Sequence, residues 1–342
     1  MTIMEKEIFE QASRLEDTYK QNIATILTIG KMVRQQKIDS IVFAGRGSSD
    51  NSGIYFKYVC EVFSGIPVSF AAPSVITIYD GELNLRNKLV IGVSQSGEAE
   101  DVLSIIQLAN KQNALSVAIT NYESSPMASA AKYHLFLNVG EEKSVAATKT
   151  FTAQMYVLAL LVYAISENTF LLDELLLVPD LIRQTTKAKT VINEKTDAFV
   201  KLKDCFVLGR GFNYAIADEF ALKLQETTYI KAMAFATSDF YHGPFALVNG
   251  DTYVLMLVSS DKTKADNVKM IKKLGALGAK VCAFTDDPQL PADEIVLLPR
   301  SSSFVAPFVY IVAAQLFACC LSVKKQIDPD NPRGLNKVTI TR

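Results

Sequence analysis

The chain has 342 residues, 49% of them hydrophobic and 21% charged, enough to build two ordinary domains with sizeable cores. Its 35 basic residues stand against 36 acidic ones with no run of like charge, which excludes the basic footprint needed to bind nucleic acid or an acidic membrane. The 5 cysteines include no CxxC pair and predict reduced, buried thiols of a cytoplasmic protein, not disulfides or a metal centre.

Residues 1–35 open with MTIMEKEIFEQASRLEDTYKQ, an acidic amphipathic helical segment without the basic-then-apolar profile of a secretory leader. A first α/β domain is predicted over 36–170. Its first strand, SIVFA, runs into GRGSSD at 40–50, and a second apolar run, KLVI, runs into GVSQSGEAED. The helix that follows carries apolar residues at Val102, Ile105, Ile106 and Ala109, the spacing of one helical face. A third strand, ALSVAIT, covers 114–120; the alternating stretch AKYHLFLNV contains His134, read as structural; a long apolar helix starts near Val145. Residues 171–202 read as a helical linker.

The second domain, 203–325, repeats the pattern: DCFVLGRGFN at 204–213, TYVLMLVSSDKTKAD from Thr252, AKVCAFTD at 279–286, then FVAPFVYIVAAQLFACCLSV at 304–323. That last stretch is long enough to span a bilayer. Pro307 and Gln315 inside it, and the lack of basic anchors before Lys324, predict a buried helix instead and no membrane partner. The tail, 326–342, ends NPRGLNKVTITR and carries Lys337.

Gly45 and Ser94 are separated by 49 positions, Gly209 and Ser259 by 50, so one unit has been duplicated. Alternating strands and helices with β-branched runs give the fold class: α/β, two tandem domains, each a parallel sheet flanked by helices on both faces in a three-layer, flavodoxin-like sandwich. A strand turning through Ser94, Gln95, Ser96 and Gly97 into a helix offers hydroxyls and N–H groups at a helix N-terminus, a site for an anion such as phosphate. The second copy reads SSDKTKAD there, which predicts a single phosphate site per chain. Neither GRGSSDNSG nor GRGFNYAIA is a GxGxxG fingerprint, and no GxxxxGK[ST] occurs, so the glycine turns give little support to a dinucleotide and none to a nucleotide-hydrolysing loop.

Few residues are suited to chemistry. His242 lies in SDFYHGPFALV, where Gly243-Pro244 leaves it on a loop, either simply solvated or free for acid–base work. Glu226 and Lys223 share the helical stretch EFALKLQETTYI, where charged groups could equally be a solvated face. Lys337 is an ordinary tail lysine or, with the tail folded over a pocket, an amine for a carbonyl substrate.

The segments MEKEIFEQ, GRGSSD, SQSGE, EEKSVAATKTFTAQ, ALKLQETTYIKA, HGPFALV and NPRGLNKVT run in order through nearly the whole chain. Together they resemble the isomerase half of glucosamine-6-phosphate synthase. They are more similar still to stand-alone proteins with two sugar-isomerase (SIS) domains, namely glucosamine-6-phosphate deaminases of that fold and fructosamine-6-phosphate deglycases. The resemblance implies that Ser94, Gln95 and Ser96 hold a sugar phosphate, with Ser49 and the Val145 backbone on the sugar. It implies Glu226 as the base moving a proton between C1 and C2, supported by Lys223. His242 would assist ring opening, shared across a homodimer, and Lys337 would meet the open-chain carbonyl. No cofactor and no metal is implied. Such chemistry needs a carboxylate that can take and return a carbon-bound proton, and phosphate anchoring that orients the reacting carbons.

Three departures shape the expected activity. The resemblance starts at MTIMEKEIF, so no glutamine-hydrolysing half is expected and ammonia release is favoured. Ala99 stands where a hydroxyl residue commonly follows SQSGE, and Ala147 where a serine is often found, leaving room for a bulkier sugar. The expected function is conversion of glucosamine 6-phosphate to fructose 6-phosphate and ammonia through an enolamine. Alternatives are a fructosamine-6-phosphate deglycase, a phosphosugar aldose–ketose isomerase, and a non-catalytic phosphosugar-binding regulator. The last reading would normally bring a helix-turn-helix, for which the first 35 residues carry too little basic charge.

Overall fold

In a computed structural model that describes residues 1–337, the apolar runs become the strands of two parallel sheets. The inner strands are buried along nearly their whole length, so each needs cover on both faces, and helical crossovers supply it. The chain divides into two units, neither continuous in sequence.

The first-sheet unit comprises residues 13–142, 149–176 and, of the described tail, 336–337. It takes most of α1 (Ile3–Gln35), then β1 (Ile41–Ala44), α2 (Ser48–Ser64), β2 (Val68–Phe70), α3 (Ser74–Thr77), β3 (Leu89–Val93) and α4 (Glu100–Lys111). β4 (Leu115–Thr120), α5 (Pro126–Ala130), β5 (Tyr133–Phe136) and α6 (Lys149–Ser166) follow. The strands lie in the order β2-β1-β3-β4-β5, all parallel, with Ile41 opposite both Val68 and Leu89. The α4 stripe Val102, Ile105, Ile106 and Ala109 packs on Val42, Val90 and Ala118 of the sheet.

The second-sheet unit comprises residues 1–12, 143–148 and 177–335. It takes the later part of α7 (Thr169–Thr186), then α8 (Lys189–Lys195), β6 (Asp204–Gly209), α9 (Tyr214–Thr228), β7 (Lys231–Ala236), β8 (Tyr253–Val258) and α10 (Lys264–Ala276). β9 (Lys280–Thr285), β10 (Glu294–Leu297) and α11 (Ala306–Lys324) complete it. Its order, β7-β6-β8-β9-β10, is that of the first sheet strand for strand, which makes the duplication structural as well as sequential.

Two described helices, α6 and α11, are long and apolar enough to cross a membrane, yet 89% of each apolar window is buried. The polar groups of α11 show why it belongs in a protein core. Gln315 accepts from Gln11 Nε2 at 2.8 Å and donates to the Thr148 carbonyl at 3.2 Å. Ser322 donates to the Thr227 carbonyl at 2.8 Å, and the Tyr310 hydroxyl to that of Val258 at 2.9 Å. Each buried polar atom has been given a protein partner at a fixed place, as burial without water requires.

Candidate functional site

In an open parallel sheet the place for a ligand is the crevice where strand order reverses, because the loops after the two strands there leave in opposite directions. In the first sheet that point lies between β1, followed by GRGSS, and β3, followed by SQSG. The middle of the glycine turn has to adopt φ +53° at Gly47, and its counterpart Gly211 has φ +61°, which explains why GRG is present in both copies. Ser49, only 8% exposed, accepts a hydrogen bond from Gln154 Nε2 of α6 at 3.1 Å.

The SQSG turn is fixed from behind by β4 and the loop after it. The Ser94 N–H donates to the Ile119 carbonyl (3.1 Å), the Asn121 N–H to the Gln95 carbonyl (3.0 Å) and the Met127 N–H to the Gly97 carbonyl (3.1 Å). Ser94 Oγ accepts from the Gly97 N–H at 3.1 Å and Ser96 Oγ from the Glu98 N–H at 3.2 Å. Accepting through oxygen leaves each hydroxyl its proton to give to an anion. α4 then begins at Glu100 with Ala99 as N-cap, which contributes no side-chain hydrogen bond. Arg46 of the GRG turn reaches the buried carboxylate of Asp101 in the first turn of α4, Nε to Oδ2 2.6 Å, and so sets a cation beside the turn.

Gly97 is the turn's steric constraint. It sits at φ +69°, and a β-carbon there would lie 2.3 Å from Ser125 Oγ. Gly97→Ala is therefore expected to destabilise the protein by about 1–2 kcal/mol from backbone conformation alone, with the clash adding to it, and to weaken phosphate-ester binding. Melting curves and a hexose-phosphate titration check this; a variant unchanged in both would contradict the turn geometry.

The corresponding point of the second sheet is chemically closed. Ser259 Oγ accepts from Asn213 Nδ2 at 2.7 Å, the Ser260 N–H goes to Asp286 Oδ1 at 2.8 Å, and the Thr263 N–H to Asp261 Oδ1 at 2.7 Å. An incoming anion would find two of its donors already held by carboxylates. Arg210 approaches Asp266 at 3.4 Å as Arg46 does Asp101, so the cation survived the duplication where the anion turn did not.

α9 carries the second chemical cluster. Lys223 is fully buried between Glu219 one turn earlier (3.2 Å, also fully buried) and Glu226 almost one turn later (2.6 Å), whose side chain is 19% exposed. Phe220 and Leu224 on the same helix are buried as well, so the charged residues are not a solvated face. Burial works against the Lys223 charge, but the two carboxylates outweigh it and raise its pKa, holding an ammonium in the interior. Glu226 is the member of this trio that still reaches solvent.

The remaining candidates are placed as follows. His242 is exposed after a short 3-10 turn, its N–H bonded to the Asp239 carbonyl at 2.9 Å and Gly243 at φ +139° beyond it. Val145, half-buried in the loop before α6, gives its N–H to the Asp330 carbonyl at 3.2 Å. Lys337 is paired: its Nζ lies 2.6 Å from Glu142 Oε2. His134 accepts or donates with Thr120 Oγ1 at 2.9 Å, and burial lowers its pKa, in keeping with a structural role.

The SIS domain family matches this chain twice, over residues 33–164 and 198–324, the spans that hold the two sheets. The chain belongs to the SIS domain family. It is 34% identical to the glutamine–fructose-6-phosphate aminotransferase (isomerizing) of Clostridium acetobutylicum, across 98% of this chain and 58% of that protein, and so spans somewhat over half of that relative. The C-terminal domain of glucosamine-fructose-6-phosphate aminotransferase from Francisella tularensis superposes with a TM-score of 0.90 at 28% identity, covering 97% of this chain and 98% of that one. Glucosamine-6-phosphate deaminase from Thermotoga maritima shares the fold, with a TM-score of 0.80 at 24% identity over 99% and 100% of the two chains.

Within this SIS chain the structure adds residues that sequence reading passed over. Glu219 completes the Lys223 trio, and its signal was present as the spacing Glu-x-x-x-Lys-x-x-Glu, which puts all three on one helical face. Gln154 supports Ser49, and Glu142 engages both Lys337 and the start of α6. Neither had a local signal, since each acts on a residue more than 100 positions away.

Proposed function

We propose that this SIS protein isomerises and deaminates glucosamine 6-phosphate, giving fructose 6-phosphate and ammonia. The observation that carries the reading is the buried Lys223 ammonium flanked by two carboxylates, of which Glu226 reaches solvent. A lysine fixed in this way costs folding energy unless it is paired, and it keeps the Glu226 carboxylate oriented for a substrate carbon. In the proposed reaction Ser94, Gln95 and Ser96 hold the phosphate, and Ser49 and the Val145 carbonyl contact the sugar. His242, contributed from the second subunit of a homodimer, assists ring opening. Glu226 removes the proton from C2 of the open-chain aldehyde as O1 takes up a proton, giving an enolamine, and returns its proton at C1 while the C2 nitrogen gives up one, which balances that on O1. The resulting C2 imine passes its carbon to the Lys337 amine with release of ammonia, and water then frees the ketose. Homology to the aminotransferase isomerase domain supports the substrate class.

A second reading, deglycation of a fructosamine 6-phosphate, is favoured by Ala99 and the half-buried Ala147, which remove bulk and hydroxyls near the loops that would surround a sugar. A panel of phosphorylated amino- and fructosyl-sugars decides between them. Ammonia and fructose 6-phosphate from glucosamine 6-phosphate are expected; a free amino acid released only from fructosyl-amines would establish the deglycase, and ketose–aldose exchange without loss of nitrogen the plain isomerase.

A further inference from the structure

Glu142 is a buried titratable group that the reaction above leaves without a task. It is fully buried at the start of the loop EEKSVAATK and receives three bonds from its own unit. Oε1 accepts from the Thr150 N–H at 3.0 Å, near the N-terminus of α6, and Oε2 accepts from the Thr150 hydroxyl at 2.7 Å and from Lys337 Nζ at 2.6 Å. Burial pushes this carboxyl up, but the Lys337 ammonium and the two Thr150 donors outweigh it and hold it below the ordinary carboxylate range. A structural cap for α6 would be satisfied by Thr150 alone. Instead a tail residue almost 200 positions away in sequence brings its one amine onto the same oxygen. An ammonium has no lone pair, so Lys337 can attack carbon only after losing a proton, and the carboxylate beside it is placed to take it.

We propose that Glu142 positions the Lys337 amine and carries its protons during imine formation, an inference that rests on the role given to Lys337 above. With a ketose phosphate the step balances within the pair. One ammonium proton passes to Glu142, the nitrogen lone pair forms the bond to C2, and the C2–O π electrons go to oxygen, which takes that proton back. The second N–H proton follows by the same carboxylate to the new hydroxyl, which leaves as water while the nitrogen lone pair forms C=N. The product is an iminium beside an ionised Glu142, the same total charge as at the start, so the buried site never holds an unpaired charge.

The test is reductive trapping. Full-length protein is incubated with fructose 6-phosphate and cyanoborohydride, and the adduct on Lys337 is timed by peptide mass spectrometry. Binding of glucitol 6-phosphate, which has no carbonyl, is measured in parallel. Glu142→Gln keeps an amide oxygen for Thr150, so it is expected to fold and to bind the alditol as the wild type does, yet to form the adduct about a hundredfold more slowly. Glu142→Asp, which restores a carboxylate, is expected to recover much of the rate. Trapping in Glu142→Gln at the wild-type rate overturns the role of Glu142 and leaves that of Lys337 standing. Loss of alditol binding together with trapping, or no recovery in Glu142→Asp, shows a merely structural carboxylate and overturns the inference as well. Absence of any adduct on wild-type Lys337 removes the lysine from the proposed reaction and Glu142 with it.

Discussion

Glu226→Gln is expected to lower kcat on glucosamine 6-phosphate by about 10²–10⁴-fold or more, the usual worth of a positioned proton-transfer group, with affinity for a hexose phosphate little changed. The amide keeps the volume of the side chain and a polar atom toward Lys223, 2.6 Å from the native carboxylate, so the local packing of α9 is preserved. The ability to hold a carbon-derived proton is what disappears. The proposed phosphate contacts lie on a different element, the turn after β3, and should be untouched. Steady-state kinetics beside a calorimetric titration with glucitol 6-phosphate separate the two effects. A parallel fall in turnover and affinity would mean that Glu226 holds the fold of its helix and not the substrate proton.

Lys223→Met is expected to be the most destabilising single change of those considered, by about 3–5 kcal/mol, because it leaves the fully buried Glu219 beside an apolar side chain. Against a typical total of about 5–15 kcal/mol, that is a large share of the stability of a domain. Adding Glu219→Leu to Lys223→Met should restore much of the loss, since two apolar groups of similar bulk replace the pair, but it should not restore turnover. Urea unfolding of the single and double variants measures both numbers. A single variant as stable as the wild type would show that Glu219 finds another partner or is neutral, and the account of the trio would then be wrong.

The parts of this fold that were legible in the sequence are those fixed by burial. SIVFA, KLVI, DCFVLG and TYVLMLV are apolar on both faces because they become inner strands, and the apolar stripe of α4 was visible at its helical spacing. The strands without such a run, β2, β7 and β10, lie at sheet edges and are short or partly exposed, with Ser69 and Phe70 open to solvent in β2 and Lys231 and Met233 in β7. Thinner cover at the sheet edge removes the demand for an unbroken apolar run.

The chemistry divides along the same line. The geometry of the SQSG turn is legible because it is local: the hydroxyls, the glycine and the helix start lie within seven positions. Periodicity alone left the Lys223 helix face undecided, because charge on a helix looks the same whether it faces water or a core; only the burial of Lys223 resolves it. The asymmetry between the copies also needed the structure for its cause. SSDKTKAD differs from SQSGEAED by sequence, but only the structure shows the carboxylates of Asp261 and Asp286 bonded to the turn's own N–H groups, which disfavours an anion there.

The central claim is proton transfer between C1 and C2 by Glu226, and isotope exchange tests it without reference to the fate of the nitrogen. In deuterated water the protein with fructose 6-phosphate is predicted to exchange one of the two C1 protons, seen as selective loss of its NMR signal, and Glu226→Gln to leave both in place. A wild-type protein that binds fructose 6-phosphate yet leaves both C1 protons unexchanged would contradict the account.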